Sequence, residues 1–209
     1  MRLNVCYVVN SVSETSVPAT LGAAICDLED VNVDILAWFE AEPFEGEESV
    51  GVDCLDARGV GLDPKTYRRA REKLQGYDIV QAHTNHSGSF AKLVGYELGI
   101  PLVSREGNTR DGFTQKGRIA NGLTNRLADR IVPNSQAVYD SFTTWERLLV
   151  DEDRVEIIPN GVDLERIDAF TETGLAIRDR FEIPSEAFLV GTAAVISRQK
   201  GLDVFVKGV

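Results

Sequence analysis

Ser197-Arg198-Gln199-Lys200-Gly201 sets two cations in a turn between an apolar run, Phe188–Ile196, and a helix start at Leu202. A strand that turns into a helix presents free backbone N–H groups and the positive end of the helix dipole to one place. With Lys200 and Arg198 added, the turn suits a diphosphate, and Lys200 can stabilise the charge on a departing nucleoside diphosphate. Many such turns carry only a solvated lysine, so the turn alone does not choose. Upstream, Arg154-Val155-Glu156-Ile157-Ile158-Pro159-Asn160-Gly161-Val162-Asp163 reads as a strand stopped by Pro159 and a turn at Asn160-Gly161 that tolerates positive φ. By itself it is a well-made turn between two domains.

Other reactive side chains fall just after apolar runs. His83 follows Ile79–Ala82 and either hydrogen-bonds a substrate or tethers the loop Thr84–Gly88, which also holds His86. Arg105, Glu106 and Arg110 follow Pro101–Ser104; an arginine there can fork onto a phosphate or carboxylate, or the group can form a surface charge network. Asn10 and Ser11 close the first run. Glu40 and Glu48 stand eight apart, but five glutamates crowd positions 40–48, so the spacing arises easily by accident.

These residues need a frame, and the pattern supplies strand, helix, strand, repeated. Leu3–Val9, Val33–Phe39, Val50–Leu55, Ile79–Ala82, Pro101–Ser104, Arg130–Val132 and Val155–Ile158 are short apolar runs of the kind buried on both faces of a parallel sheet. Helices are predicted from Val17 to Leu28, after the Asp63-Pro64 cap, through Phe90, Leu93, Val94 and Leu98, through Ile119, Leu123 and Leu127, and from Ser135 through Val138, Phe142, Trp145 and Leu149. The expectation is an α/β, doubly wound, mainly parallel Rossmann-like sheet with ligands at the carboxyl ends of its strands. Residues 1–162 form that domain and 163–187 a linker. Residues 188–209 open the first βα unit of a second, nucleotide-sugar-binding domain, expected to be cut off at Val209.

Four segments in order resemble glycosyltransferase family 4. Tyr7-Val8-Val9-Asn10-Ser11 looks like its opening strand and donor-facing loop, and Asp78-Ile79-Val80-Gln81-Ala82-His83 its D-V-V-H-A-H strand. Leu127 to Ser135 is similar to its A-D-R-I-V-A-V-S stretch, and Ile158 to Asp163 to its IPNGVD linker, followed by the K-G turn at Lys200-Gly201. The resemblance implies a GT-B fold and retaining transfer from a nucleoside-diphosphate sugar without an obligatory metal or other cofactor. It assigns Lys200, Arg198, Asn10 and Ser11 to the donor and His83, Arg105 and Glu106 to the acceptor, with the catalytic glutamate pair beyond Val209. The chain departs from the pattern at Ser11–Ser16, where a Gly-Gly pair is usual, at Val195, where an arginine is, at the Ser104–Asn108 loop, which lacks a histidine, and at Gln81, which replaces one.

Composition narrows the partners. With 22 Lys+Arg against 33 Asp+Glu the net charge is −11, which repels nucleic acid; an acidic surface with few lysines suits solubility in high salt. The three cysteines, Cys6, Cys26 and Cys54, are expected as free thiols, and no metal-ligand spacing occurs. The amino terminus lacks a signal pattern and no run is long enough to span a bilayer, so a cytoplasmic location is expected. No amphipathic basic helix is evident, which leaves peripheral membrane contact to loop tips. The acceptor stays open among glycan, lipid and small molecule. A dinucleotide oxidoreductase needs a glycine-rich turn that Asn10–Ser16 lacks, and a non-catalytic binding domain is the other alternative.

Overall fold

Valine-rich runs build the sheet of the first of two compact units, Met1–Asn160 and Gly161–Val209. The computed structural model describes residues 2–13, 16–28, 30–44, 49–59, 63–83, 86–162, 164, 168, 174–194, 196 and 200–209. The strands are β1 (Leu3–Val12), β2 (Val31–Ala41), β3 (Gly51–Cys54), β4 (Ile79–His83), β5 (Leu102–Glu106) and β6 (Arg130–Pro133). All pairings are parallel, in the order β3-β2-β1-β4-β5-β6. That order reverses direction between β1 and β4, which opens a crevice at their carboxyl ends.

Helices α1 (Val17–Cys26), α2 (Pro64–Leu74), α3 (His86–Leu98), α4 (Gln115–Asn125), α5 (Gln136–Asp140) and α6 (Thr144–Leu149) connect and cover the strands. Asp63 caps α2 by accepting from Lys65 N and Thr66 N at 3.1 and 3.2 Å, with Pro64 opening the helix. One apolar cluster packs α2 and α3 on the sheet through Val8, Leu36, Leu74, Val80, Val94 and Leu102. A second joins α1 to the other face through Val9, Val33, Ile35 and Ala37.

Three expectations change. Ser135 to Leu149 is two helices: Thr143 restarts the chain with a reciprocal cap in which Glu146 Oε2 accepts from Thr143 N at 2.8 Å. Val155–Ile158 forms no strand, although Glu156 N and Ile158 N donate to Ile131 and Pro133 carbonyls; Pro133 has no N–H to return the intervening bond. On α4, for which only a helix was expected, Ile119 and Leu123 face solvent and the amide side is buried. In the second unit, helices α7 (Gly174–Arg180) and α8 (Leu202–Gly208) form, but the described residues of Phe188–Ile196 make no strand. Phe188 and Ile196 are 94% and 92% exposed; a strand needs a neighbour for its N–H and C=O groups, and among the described residues none pairs with it.

Candidate functional site

The carboxyl end of β1 loses its register between Val9 and Ser11, which turns Asn10 out of the ladder. Its Oδ1 accepts from Ser87 N at 3.1 Å, satisfying one of the N–H groups that the first turn of α3 cannot pair internally. Asn10 is thereby committed to holding α3, while Ser11 stays exposed at the same edge. α3 sits so close to β4 that a Cβ at Gly88 would overlap the His83 carbonyl.

His83 ends β4 beside Arg105 of β5 in the strand register. The Gln81 side-chain nitrogen lies 3.1 Å from His83 Nε2, and an amide nitrogen only donates, so the imidazole accepts and is neutral. Gln81 also hydrogen-bonds the Tyr7 hydroxyl, and the Tyr7 ring lies 5.3 Å from that of His83. Burial, then the nearby Arg105 cation, hold the His83 pKa down to about 3. Burial foremost raises Tyr7 to about 12. These two groups therefore offer uncharged hydrogen-bonding atoms at neutral pH.

Arg105 closes its fork on the segment that leaves the unit. One terminal nitrogen donates to Ile158 O at 2.7 Å and the other to Asn160 Oδ1 at 2.6 Å. Glu106, the next residue, points to the opposite side of the sheet and is fully buried. Its Oε1 accepts from Ser104, Asn121 and Asn125 at 3.1, 3.0 and 2.9 Å, and its Oε2 from Arg110 at 2.8 Å. Arg110 continues to Glu146 at 2.7 Å and lies 4.0 Å above the Phe142 ring. Lys92, also fully buried, donates to Asn121 and Asn125 at 2.8 and 2.5 Å. Two cations and two carboxylates balance in this interior network. Burial lowers the Lys92 pKa to about 8, while the two cations and the Asn121 and Arg110 hydrogen bonds outweigh burial and lower that of Glu106.

The expected acceptor residues thus separate. His83 and Arg105 share the strand-end face, whereas Glu106 lies beneath it and fixes the Gly107–Phe113 loop from within. Four buried polar atoms have no partner among the described residues: His86 Nε2 and Ser87 Oγ after β4, Arg110 Nη2 after β5 and Asn134 Oδ1 after β6. All four follow carboxyl ends of strands, and an unpaired buried group costs about 1–3 kcal/mol. A cavity of about 220 Å³ is lined by Trp38, Ala57, Arg58, Asp63, Tyr67 and Phe90, and the Phe90 ring lies 4.7 Å from that of His86. Among the described residues no group of His, Cys, Asp and Glu could hold a metal ion.

In the second unit Lys200 is exposed immediately before α8, where Gly201 adopts φ 60°. Arg198, and Val195 with it, lie outside the described residues. Sequence reasoning did not single out Tyr7, Lys92, Asn121, Asn125 and Glu146. The amides at 121 and 125 have helical spacing, yet that spacing does not say which face turns inwards.

The sheet order and strand-end crevice define the amino-terminal domain of a GT-B fold, and solved structures share it. Anabaena HepE in complex with UDP and glucose matches with a TM-score of 0.72 at 17% identity, over 99% of this chain and 57% of that one. Staphylococcus aureus MnaA with UDP matches at 0.57 and 12% identity, over 86% and 50%. The Neisseria meningitidis UDP-GlcNAc 2-epimerase bound to UDP-GlcNAc matches at 0.56 and 12%, over 88% and 54%. The chain therefore spans about half the length of these relatives, 50 to 57%. It belongs to Glycosyltransferase Family 4, whose model matches residues 27–166. No curated protein matches it.

Proposed function

We propose that this chain supplies the acceptor-side domain of a glycosyltransferase that moves a hexosyl group, with retention, from a nucleoside-diphosphate sugar to an acceptor in cell-surface glycan or glycolipid synthesis. The observation that carries the reading is the set of buried polar atoms after β4, β5 and β6 that have no partner among the described residues, in a chain of this family. An acceptor hydroxyl at that rim meets neutral donors and acceptors, His83 and Gln81, and suffers no charge repulsion there. Arg105 acts by holding Ile158 and Asn160 beneath the site. Lys200 and Arg198 are the cations assigned to the departing diphosphate, a role that requires positive charge because negative charge grows on the leaving oxygen. No cofactor takes part; the sugar nucleotide is a substrate, as the UDP-bound relatives suggest by likeness.

Titration of the ¹⁵N-labelled chain with UDP-glucose and, separately, with NADH tests this. UDP-glucose should shift amides around Lys200 and Gly201, weakly, and NADH should leave Asn10–Ser13 unmoved. Shifts at Asn10–Ser13 with NADH alone would replace the transferase by a dinucleotide enzyme, and no shift with either would leave a non-catalytic domain.

A further inference from the structure

Gln81 stands between Tyr7 of β1 and Val103 of β5 in the strand register, and residues 81 and 83 share one face of β4. The Val103 side chain is hydrocarbon and can bond nothing. The Gln81 amide finds its polar partners elsewhere: the Tyr7 hydroxyl across the sheet and the His83 imidazole along its own strand. Tyr7 is buried, while Gln81 and His83 are half-buried where β4 reaches its carboxyl end.

The two ring nitrogens of a neutral histidine do opposite things: one donates and the other accepts. The Gln81 amide nitrogen only donates, and it lies 3.1 Å from His83 Nε2. Nε2 therefore accepts, and the ring proton sits on Nδ1. Burial, and then the Arg105 cation beside it in the register, disfavour a second ring proton. Nδ1 has no hydrogen-bond partner among the described residues. Its N–H is the one donor that this imidazole can offer to an incoming group. A histidine at 81 could change its own proton count with pH, whereas an amide does not titrate and imposes one orientation.

We infer that Gln81 is a positioning residue that holds His83 in its Nδ1–H form, so that the histidine gives a hydrogen bond to a substrate oxygen and takes no proton from it. One nitrogen is already protonated and the lone pair of the other is already engaged, so His83 has no basic site left. It recognises an oxygen lone pair and is not the base that deprotonates a hydroxyl. Calling that oxygen a substrate's rests on the transferase reading above; the position of the ring proton does not.

Long-range ¹H–¹⁵N correlation spectra of the ¹⁵N-labelled chain at neutral pH test the proposal. The chain has two histidines, and His83→Gln identifies the signals of His83 by their loss. In the wild type Nδ1 should resonate as a protonated nitrogen and Nε2 as a bare one, with a coupling across the hydrogen bond joining Nε2 to the Gln81 amide nitrogen. Gln81→Glu puts an acceptor where the donor stood and should move the proton to Nε2. Gln81→Met, of similar length and without the amide, should give a mixture of the two forms. Backbone amide spectra show whether each variant keeps its fold, and the wild type decides even if neither does. A wild-type ring protonated on Nε2 or on both nitrogens, or one without the coupling to Gln81, would overturn the proposal. A wild-type pattern that persists in folded Gln81→Glu and Gln81→Met would also overturn it, by removing Gln81 as the cause. No sugar nucleotide enters these spectra, so a failed UDP-glucose titration leaves their result standing, and an Nε2–H ring leaves the transferase reading standing.

Discussion

Around β1, β2 and α1 the sheet is held by hydrocarbon, with Val9, Val33, Ile35 and Ala37 buried against one another. Around β5, α3, α4 and α6 the equivalent space is filled by Lys92, Glu106, Arg110, Asn121, Asn125 and Glu146, all buried and bonded in chains. Apolar packing is non-directional, so the loss of one methyl costs little more than its own burial. A balanced network of desolvated charges is directional, and the loss of one member strands the rest. The first region is built to tolerate change, and the second to fix a geometry. That geometry includes the loop after β5, which carries Arg110, one of the residues with a buried polar atom unpartnered among the described residues.

The largest test sets one region against the other. Glu106→Gln keeps the shape but leaves Lys92 and Arg110 facing a single carboxylate, which should cost about 3–5 kcal/mol. Ile35→Val, in the apolar half, should cost about 1 kcal/mol. Urea unfolding followed through Trp38 and Trp145 reads both variants. Adding Lys92→Met to Glu106→Gln should recover part of the loss, because the remaining Arg110 and Glu146 again balance. If Glu106→Gln costs no more than Ile35→Val, the two regions do not differ in the way proposed.

The same contrast explains what the sequence disclosed. β1 through β4 and the Asp63-Pro64 cap were legible because hydrophobic period and cap chemistry are local signals. The periodicity of α4 was legible too, but its direction was not. Apolar residues at helical spacing normally face inwards, but Glu106, brought close by the tertiary fold, bonds Asn121 and Asn125 and leaves Ile119 and Leu123 outside. Phe188–Ile196 read as a strand on composition, whereas strand formation depends on a partner that lies outside any local window. At the candidate site the positions of His83 and Arg105 were legible as strand ends. The bonds that Arg105 makes to Ile158 and Asn160 span more than fifty residues and were not.

An intermediate effect concerns pH and again singles out the polar half. The unfolded chain protonates His83 near 6.5, while the folded chain does so only near 3. Below pH 6.5 the unfolded state therefore binds more protons, and stability falls as pH drops through that window. Glu106, whose folded value is also lowered, extends the loss below 4.5 as it protonates. His83→Gln should flatten the slope between pH 6.5 and 4.5 by at most about 1.4 kcal/mol per pH unit. Ile35→Val should move the whole curve without altering its slope. Denaturant midpoints at a series of pH values separate the two outcomes, and an unchanged slope in His83→Gln would remove the histidine from the account.

The smallest effect discriminates most finely, because it asks whether the apolar stripe of α4 belongs to the core at all. If Ile119 and Leu123 packed inwards, as their periodicity suggests, serine at either position would cost several kcal/mol by lost burial and a new cavity. With their side chains in water and the amides of Asn121 and Asn125 inside, Ile119→Ser and Leu123→Ser should each stay within about 0.5 kcal/mol of wild type. Asn125 cannot be changed so freely, since its side chain bridges Lys92, Ser104 and Glu106. A helix indifferent to losing its leucine yet intolerant of losing its asparagine is held by polarity. Its hydrocarbon then remains available for a surface outside the fold.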